Sequence, residues 1–476
     1  MSITQKFSIE IGGSTPIGPS PEDLRRIFEP AIEEKHEDAD GSILGADTAR
    51  KAAEQRTGTE FYPRKPASIA EAGLTPEFVE QLICKFLLTR GSATGRRIAQ
   101  QLGLPFRALE GLLTRAKNEM LLAYRKTAAA GDYEYVLTDT GNDRARRSMD
   151  ACTYAESAPV PLDDYIASVG AQSLTHHRIN AEHLREAFFD LLVGDDMLDR
   201  LGPAVNSGKG MFLYGSPGNG KTSIAERVIR CFGSHLWIPR AIQIDGNLFR
   251  MFDPVIHQVV AEPEANILGE GLEDGRWVKI VRPTVVVGGE LTMDQLEMRH
   301  DVQSNVSEAP LQMKSNCGAL VIDDFGRQRM PIAELLNRWI VPLEKRYDYQ
   351  KLPSGKKIQV PFDQLVIFST NLEPHDLVDE AFLRRIPYKI EAPNPTPAQF
   401  KRIVDIVAPA LGFRIEPGVI DHLIEKHYVA KGRPMRACHP RDLMLQARSY
   451  CMYHKLPVEL SEQALDFAVE NYFAVM

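Results

Sequence analysis

Apolar and polar positions divide this 476-residue chain into stretches of different periodicity. Residues 1–65 show little apolar patterning and hold Gly12-Gly13, Pro16, Pro19, Pro21 and the acidic cluster Glu33 to Asp38. Ser20-Pro21 would start one helix over Glu22–Glu34, and the rest reads as a flexible arm. From residue 66 the period becomes helical. Thr75-Pro76 opens a helix with Phe78, Leu82, Ile83, Phe86 and Leu87 on one face. Thr94 caps a short helix carrying Ile98 and Leu102. Gly103-Leu104-Pro105 turns into a third, with Phe106, Leu109, Leu112 and Leu113. Two strand-like runs follow, Met120–Tyr124 and Tyr133–Leu137, and a basic helix with Arg144, Arg146 and Arg147 closes the unit near residue 150. Residues 151–175, with Pro159-Val160-Pro161, read as a linker.

The remainder alternates helical periods with short apolar runs. A helix is expected from Asn180 through Leu184, Phe188 and Leu192. The runs Met211–Tyr214, Gly318–Ile322 and Leu365–Phe368 read as buried strands. Between the first two, the pattern predicts a helix over Asn247–Val260 and a hairpin around Pro283. A second hairpin is expected between Arg346–Tyr349 and Lys356–Val360, with Pro353-Ser354-Gly355 as its turn. From about Thr396 a helical lid is predicted, resting on Phe400, Ile403, Val404, Ile406 and Val407. The domains are therefore expected at 1–65, 66–150, 151–175, 176–395 and 396–476.

Composition narrows the class. Apolar residues make up 43% and charged residues 25%, the balance of a globular protein. No apolar run approaches a bilayer span. Met1–Gln5 lack a basic region leading into an apolar core, so no signal peptide, no membrane insertion and a cytoplasmic location are expected. The six cysteines contain no C-x-x-C pair and read as isolated thiols rather than a disulfide frame or a zinc site. A net charge of −8 argues against general coating of nucleic acid and leaves room for a local basic face.

The strongest chemistry lies after the first buried strand. Gly215-Ser216-Pro217-Gly218-Asn219-Gly220-Lys221-Thr222 spells G-x-x-x-x-G-K-T, and Ser223, Ala225, Val228 and Ile229 continue as a helix. Strand, glycine-rich loop and helix is the setting a phosphate-binding loop requires. Glycines let backbone N–H groups turn inward, and the helix N-terminus adds partial positive charge. Lys221 would neutralise the β- and γ-phosphates of ATP, and the Thr222 hydroxyl would hold Mg²⁺.

Further pieces follow in a set order: Gly318–Ile322 ending in Asp323-Asp324, Leu365–Thr370 ending in Asn371, the double arginine Arg384-Arg385, and Cys438-His439-Pro440-Arg441 opening a late helix. Over roughly residues 176–476 this resembles an AAA+ ATPase. The resemblance implies an α/β P-loop NTPase domain, a parallel sheet between helices, with a helical lid behind it. It implies that Asp323 steadies Mg²⁺ and that Asp324 stands where the family usually has a glutamate that polarises water. Asp324 is one methylene shorter, which implies slow hydrolysis. Asn371 matches the polar sensor that places the water, and Arg384 or Arg385 matches the finger that reaches a neighbouring subunit's γ-phosphate. Arg441 matches the lid arginine. The hairpins are similar to those of MoxR-type ATPases, and a ring or helical homo-oligomer, with six subunits, is implied.

Residues 66–150 resemble a winged-helix domain. The third helix would be the recognition helix, with Arg107, Arg115 and Lys117, and the wing would add Arg125 and Lys126. From Arg90 to Asp150 there are eleven Lys/Arg against seven Asp/Glu, a mild excess. DNA binding and docking of a client or adaptor protein both stay open. So do three functions: a DNA-associated motor, a MoxR-like protein-remodelling ATPase, and a slow nucleotide-gated scaffold.

Overall fold

The computed structural model describes residues 61–261, 273–378 and 380–474. Most of the expected arm, with its helix at Glu22–Glu34, lies outside them; its last residues, 61–65, are described and pack, with Phe61 against Trp277 and Pro63 O accepting from Asp274 N at 2.9 Å. Among the described residues two compact units form: a larger one of residues 61–400 together with 434–439, and a smaller one of 401–433 and 440 onward.

The larger unit begins with a module of helices α1 (Pro76–Arg90), α2 (Gly95–Leu102), α3 (Phe106–Asn118) and α4 (Asp139–Ala151). Thr75 caps α1 through its hydroxyl, which accepts from the Phe78 N–H at 3.3 Å, and Pro76 fills the first turn where no amide partner is needed. Strands β1 (Ser92–Thr94), β2 (Leu122–Thr127) and β3 (Tyr133–Leu137) form an antiparallel sheet in the order β1-β3-β2. Leu82, Ile98, Leu102, Leu109 and Leu113 share one core.

Residues 151–175, expected as a linker, instead pack. Tyr154 is buried, and its carbonyl and that of Cys152 accept from Lys85 Nζ. Strand β4 (Val160–Pro161) and helix α5 (Leu162–Ala171) follow, with Val160 and Tyr165 buried. The helix expected to continue from Asn180 to Leu192 breaks at Phe188 into α6 (Ala181–Ala187) and, after Gly194, α7 (Asp195–Ser207).

Strand β5 (Met211–Tyr214) and helix α8 (Lys221–Val228) flank the glycine-rich loop. A long excursion then separates α8 from the rest of its sheet. It contains β6 (His235–Pro239), β7 (Ala241–Ile244), β8 (Asn247–Arg250) and β9 (Trp277–Val281). The helix expected over Asn247–Val260 is thus a strand at its start. Ile244 pairs with Asn247, which leaves Asp245-Gly246 as a two-residue hairpin loop with φ of +48° and +81°. Asp-Gly is the pair that such a turn selects, and it overrides the weaker helical period.

The hairpin expected around Pro283 is also replaced. β9 pairs antiparallel with β6, whereas β10 (Thr284–Val287) joins the core sheet beside a later strand. Pro283 has no N–H to give a ladder, and its carbonyl accepts from Ala319 N at 2.9 Å. The chain therefore changes sheets at this proline. Strands β11 (Arg299–Asp301) and β12 (Val306–Glu308) complete a second sheet in the order β11-β12-β8-β7-β4. Arg276, paired with Asp274 in full burial, donates to the carbonyls of Ala72 and Pro159 and ties this sheet to the first module.

The core sheet is completed by β13 (Ala319–Ile322), then, after helix α9 (Ile332–Lys345) and the expected hairpin β14 (Tyr347–Lys351) and β15 (Lys357–Pro361), by β16 (Leu365–Thr370) and β17 (Tyr388–Glu391). Its order is β10-β13-β16-β5-β17 and every pairing is parallel. Phe212, Leu320, Ile322 and Phe368 face Trp339 of α9, while Leu213, Val321 and Ile367 face Ala225 and Val228 of α8. Helices therefore cover both faces, as a parallel sheet requires.

The smaller unit begins within α10 (Pro397–Ala410). Helix α11 (Val419–His422) runs without a break into a π-helical segment, Leu423–Val429. Helices α12 (His439–His454) and α13 (Glu462–Tyr472) follow, with Leu423, Tyr428, Leu443, Ala447, Leu465 and Val469 buried. No helix among the described residues is long and apolar enough to cross a membrane.

Candidate nucleotide site

Parallel register builds the site. Ile322 lies opposite Phe368, and Thr370 opposite Tyr214, so the residues following β13, β16 and β5 emerge along one carboxyl edge. That edge is where open α/β sheets bind ligands. Asp323, Asn371 and the Gly215–Gly220 loop meet there.

The loop is held from outside. Gly218 has φ +84°, and a Cβ on it would come within 2.4 Å of Cys438 Sγ, so both backbone strain and packing demand glycine. Asn219 is buried; its Nδ2 donates to Ala392 O at 3.2 Å and Asn394 Oδ1 at 2.8 Å, and its Oδ1 accepts from Ala437 N. Arg436 Nη1 donates to Pro217 O at 3.0 Å. These bonds fix a loop whose remaining N–H groups, with those of the first turn of α8, are free to face an anion.

Lys221 is 7% exposed. Its Nζ donates to Gly215 O at 2.9 Å, Ser216 O at 3.1 Å and Asn371 Oδ1 at 2.7 Å. Burial pushes its pKa down; Asp323 and Asp324 oppose that shift and Arg436 reinforces it. A buried ammonium held on neutral oxygens is poised for phosphate, which would supply the missing negative charge.

Asp323 is the hub. Its Oδ2 accepts from Thr222 Oγ1 at 2.8 Å, and its Oδ1 accepts from Ser369 Oγ at 2.7 Å and from Asp324 N at 3.0 Å. One hydroxyl and one carboxylate, both hard oxygens, suit Mg²⁺. Together with a loop that admits no Cβ at Gly218, the donor set fits Mg²⁺ and a triphosphate. Asp324 is exposed, adopts φ +47°, and accepts from Asn371 Nδ2 at 3.2 Å. Gln328 Nε2 donates to the carbonyls of Asp323 and Asp324 and steadies that turn.

The other sequence-picked residues are placed as follows. Ser223 O accepts from Arg227 Nη1 within α8. Arg384 is exposed, whereas Arg385 Nε is paired with Glu344 Oε1 at 2.7 Å. Arg441 is exposed in the first turn of α12 and belongs to the smaller unit. In the first module, Arg107 and Lys117 are exposed, with Lys117 over the Tyr124 ring. Arg115 is also exposed, but it pairs with Glu80 at 3.4 Å and Glu119 at 3.5 Å and lies 4.0 Å from Glu77. Arg125 and Lys126 both pair with Glu134, at 3.8 and 3.3 Å. Sequence reasoning missed Arg436, Ser369, Gln328 and the Asn219–Asn394 clamp. Arg436 stands just before Cys438-His439, where only its proximity to that motif could have flagged it.

Loop, parallel sheet and the acid–hydroxyl pair at its edge define an α/β P-loop NTPase fold. A family described as "Domain of unknown function (DUF8689)" matches residues 396–471. No curated protein matches the chain. Among solved structures, the chain is similar to the RuvB Holliday junction branch migration motor of Thermotoga maritima. That likeness has 15% identity and a TM-score of 0.34 over 61% of this chain and 73% of that one. It is also similar to NtrX from Brucella abortus in complex with ATP, at 13% identity and a TM-score of 0.37 over 61% of this chain and 58% of that one.

Proposed function

We propose that this chain is an AAA+-type ATPase that hydrolyses ATP to ADP and phosphate in a Mg²⁺-dependent reaction. The observation that carries the reading is the joint placement of Lys221, Thr222, Asp323, Asp324 and Asn371 at one sheet edge. Lys221 and the loop N–H groups bind the phosphates. Bound Mg²⁺, held by Thr222 and Asp323, would neutralise charge on the β- and γ-oxygens. Asn371 orients a water and Asp324 takes its proton, so catalysis is positioning plus charge stabilisation. Arg384, the exposed member of its pair, is the candidate finger toward a second copy in a ring or helical assembly of about six subunits. Arg436 and Arg441 are candidates to read the nucleotide state. The direct test is phosphate release from purified protein with Mg²⁺-ATP, with Lys221→Ala as control. No release above that control would defeat the reading.

The ATPase is proposed to remodel a macromolecule, with the first module, read as a winged helix, as the recruiting element. Two occupants remain in view. Arg107 and Lys117 support DNA. The acidic partners of Arg115, Arg125 and Lys126 favour docking of a client or adaptor protein instead. Duplex DNA that raises turnover supports the first; a co-purifying protein that does so supports the second. A slow nucleotide-gated scaffold is the outcome if neither raises it and Asp324 limits hydrolysis.

A further inference from the structure

The smaller unit holds a cluster that the nucleotide site does not use. We propose that His422, His427 and Asp466 bind one divalent transition-metal ion, with zinc as the leading occupant.

The backbone makes this cluster. His422 and His427 are five residues apart. In an α-helix, at about 100° per residue, they would diverge by roughly 140° and serve different faces. Here the segment Leu423–Val429 is π-helical, and Ala430 N bonds back to Glu425 O at 2.9 Å, five residues earlier. That widened turn stacks residue i near residue i+5 and brings both imidazoles to one side. Single π turns of this kind concentrate at functional sites.

Both rings then converge on one atom. His422 Nε2 lies 3.2 Å and His427 Nε2 2.5 Å from Asp466 Oδ1, and the three ligand atoms lie within 4.8 Å of one another. Two histidine nitrogens and a carboxylate oxygen, with a fourth position left to water, are a set that zinc accepts. Imidazole nitrogens select against Mg²⁺ and for later transition metals.

The surroundings support ligation. Lys426 Nζ holds the other carboxylate oxygen, Oδ2, at 2.7 Å, which leaves Oδ1 as the single ligating atom. Glu462 Oε1 stands 3.6 Å from His422 Nδ1, the position of an outer carboxylate that orients a ligating ring. Arg433 Nη1 donates to His427 O and fixes the backbone of the buried ligand. His427 is 3% exposed, so the ion would bridge α13 to the π-helical segment and hold them in register.

The test uses the full chain, stripped with a strong chelator, reloaded with Zn²⁺ or Co²⁺ in the presence of excess Mg²⁺, and desalted. The expected result is about one retained metal ion per chain. With Co²⁺, visible d–d bands of a low-coordinate nitrogen–oxygen site should appear. Asp466→Asn and His422→Gln, both near-isosteric, should lose the bands and lower retention at least tenfold, with circular dichroism unchanged. Lys221→Ala should retain the ion fully, which separates this site from the nucleotide site. Wild-type protein that retains no ion, or folded Asp466→Asn that retains as much as wild type, would overturn the proposal.

Discussion

Lys221 and Asp324 share one side chain, that of Asn371: its Oδ1 accepts from Lys221 Nζ at 2.7 Å and its Nδ2 donates to Asp324 Oδ1 at 3.2 Å. The group that would bind phosphate is thereby linked to the group that would receive a proton from water. Under the proposed function, phosphate arriving at Lys221 would compete for the bond to Asn371. The amide would then be available to hold the water beside Asp324.

Asp324→Asn should separate binding from turnover. Asparagine tolerates the left-handed backbone as well as aspartate does, so φ +47° adds no strain and thermal stability should hold. ATP affinity should stay within about twofold, while phosphate release falls by roughly 10²–10⁴, the usual share of a general base. Fluorescent-nucleotide binding and a phosphate assay read the two quantities. Normal turnover in this variant would remove Asp324 from the mechanism.

Lys221 predicts a pH dependence. Burial lowers its pKa in the folded chain below the ordinary 10.5. As pH rises toward 10.5, the folded chain loses this proton before the unfolded chain does. The unfolded state then binds more protons, so the contribution of Lys221 to stability increases with pH in that window. ATP binding has the opposite trend, because phosphate needs the ammonium. Affinity should weaken as pH rises through the window, with proton uptake on binding, while the fold does not weaken through this group. Calorimetric titration in two buffers of different ionisation enthalpy measures the uptake. Lys221→Arg should abolish it, and Lys221→Ala should abolish binding. A flat wild-type affinity profile would mean that Lys221 does not contact the phosphates.

Arg384 and Arg385 should part company. Arg385 is committed to Glu344, and its replacement by alanine should cost about 0–1 kcal/mol of stability, with turnover per folded chain preserved. Arg384→Ala should leave ATP binding intact and lower turnover by about 10³ if it reaches a neighbouring subunit. Mixing Arg384→Ala with Asp324→Asn chains should restore part of the activity, because mixed interfaces regain one intact site. If Arg385→Ala is the inactive variant, the finger assignment reverses.

Legibility followed the strength of local signals. The phosphate loop was readable because glycine, lysine and threonine each have a backbone or chemical reason to be there. Asp323 and Asn371 were readable because each ends a buried apolar run, and parallel register then brings those ends together. The excursion between α8 and β13 was misread for two identifiable reasons. Asp245-Gly246 is a two-residue turn inside a stretch whose apolar spacing also suits a helix. Pro283 joins strands of different sheets, and sequence spacing alone makes it look like a hairpin tip. Partners separated by long loops left no local trace at all. Arg436 contacts Pro217 across 219 residues, and Asn219 meets Asn394 across 175. The surface arginines show the converse limit, because composition counts Arg115 as available whereas Glu77, Glu80 and Glu119 already pair with it.

That pairing sharpens what DNA binding by the first module would look like. Of the five basic candidates, Arg107 and Lys117 are exposed without an acidic partner among the described residues. Arg125 and Lys126 share Glu134, whose pKa is lowered first by the Ser92 hydroxyl and then by Lys126 and Arg125, so it stays ionised at neutral pH. Each phosphate neutralised contributes about −0.9 to the slope of log K against log salt. Two available cations predict a slope of about −2 for wild type. Glu134→Gln keeps the Ser92 contact but removes the competing charge, so two more cations become available and the slope should steepen to about −4, with tighter binding at low salt. Arg125 and Lys126 replaced together by alanine should cancel that gain and leave the wild-type slope almost unchanged. Fluorescence anisotropy of a labelled duplex with the full chain and ATP, across a salt series, measures all three. Absence of binding at low salt, in wild type and in Glu134→Gln alike, would assign this module to protein docking.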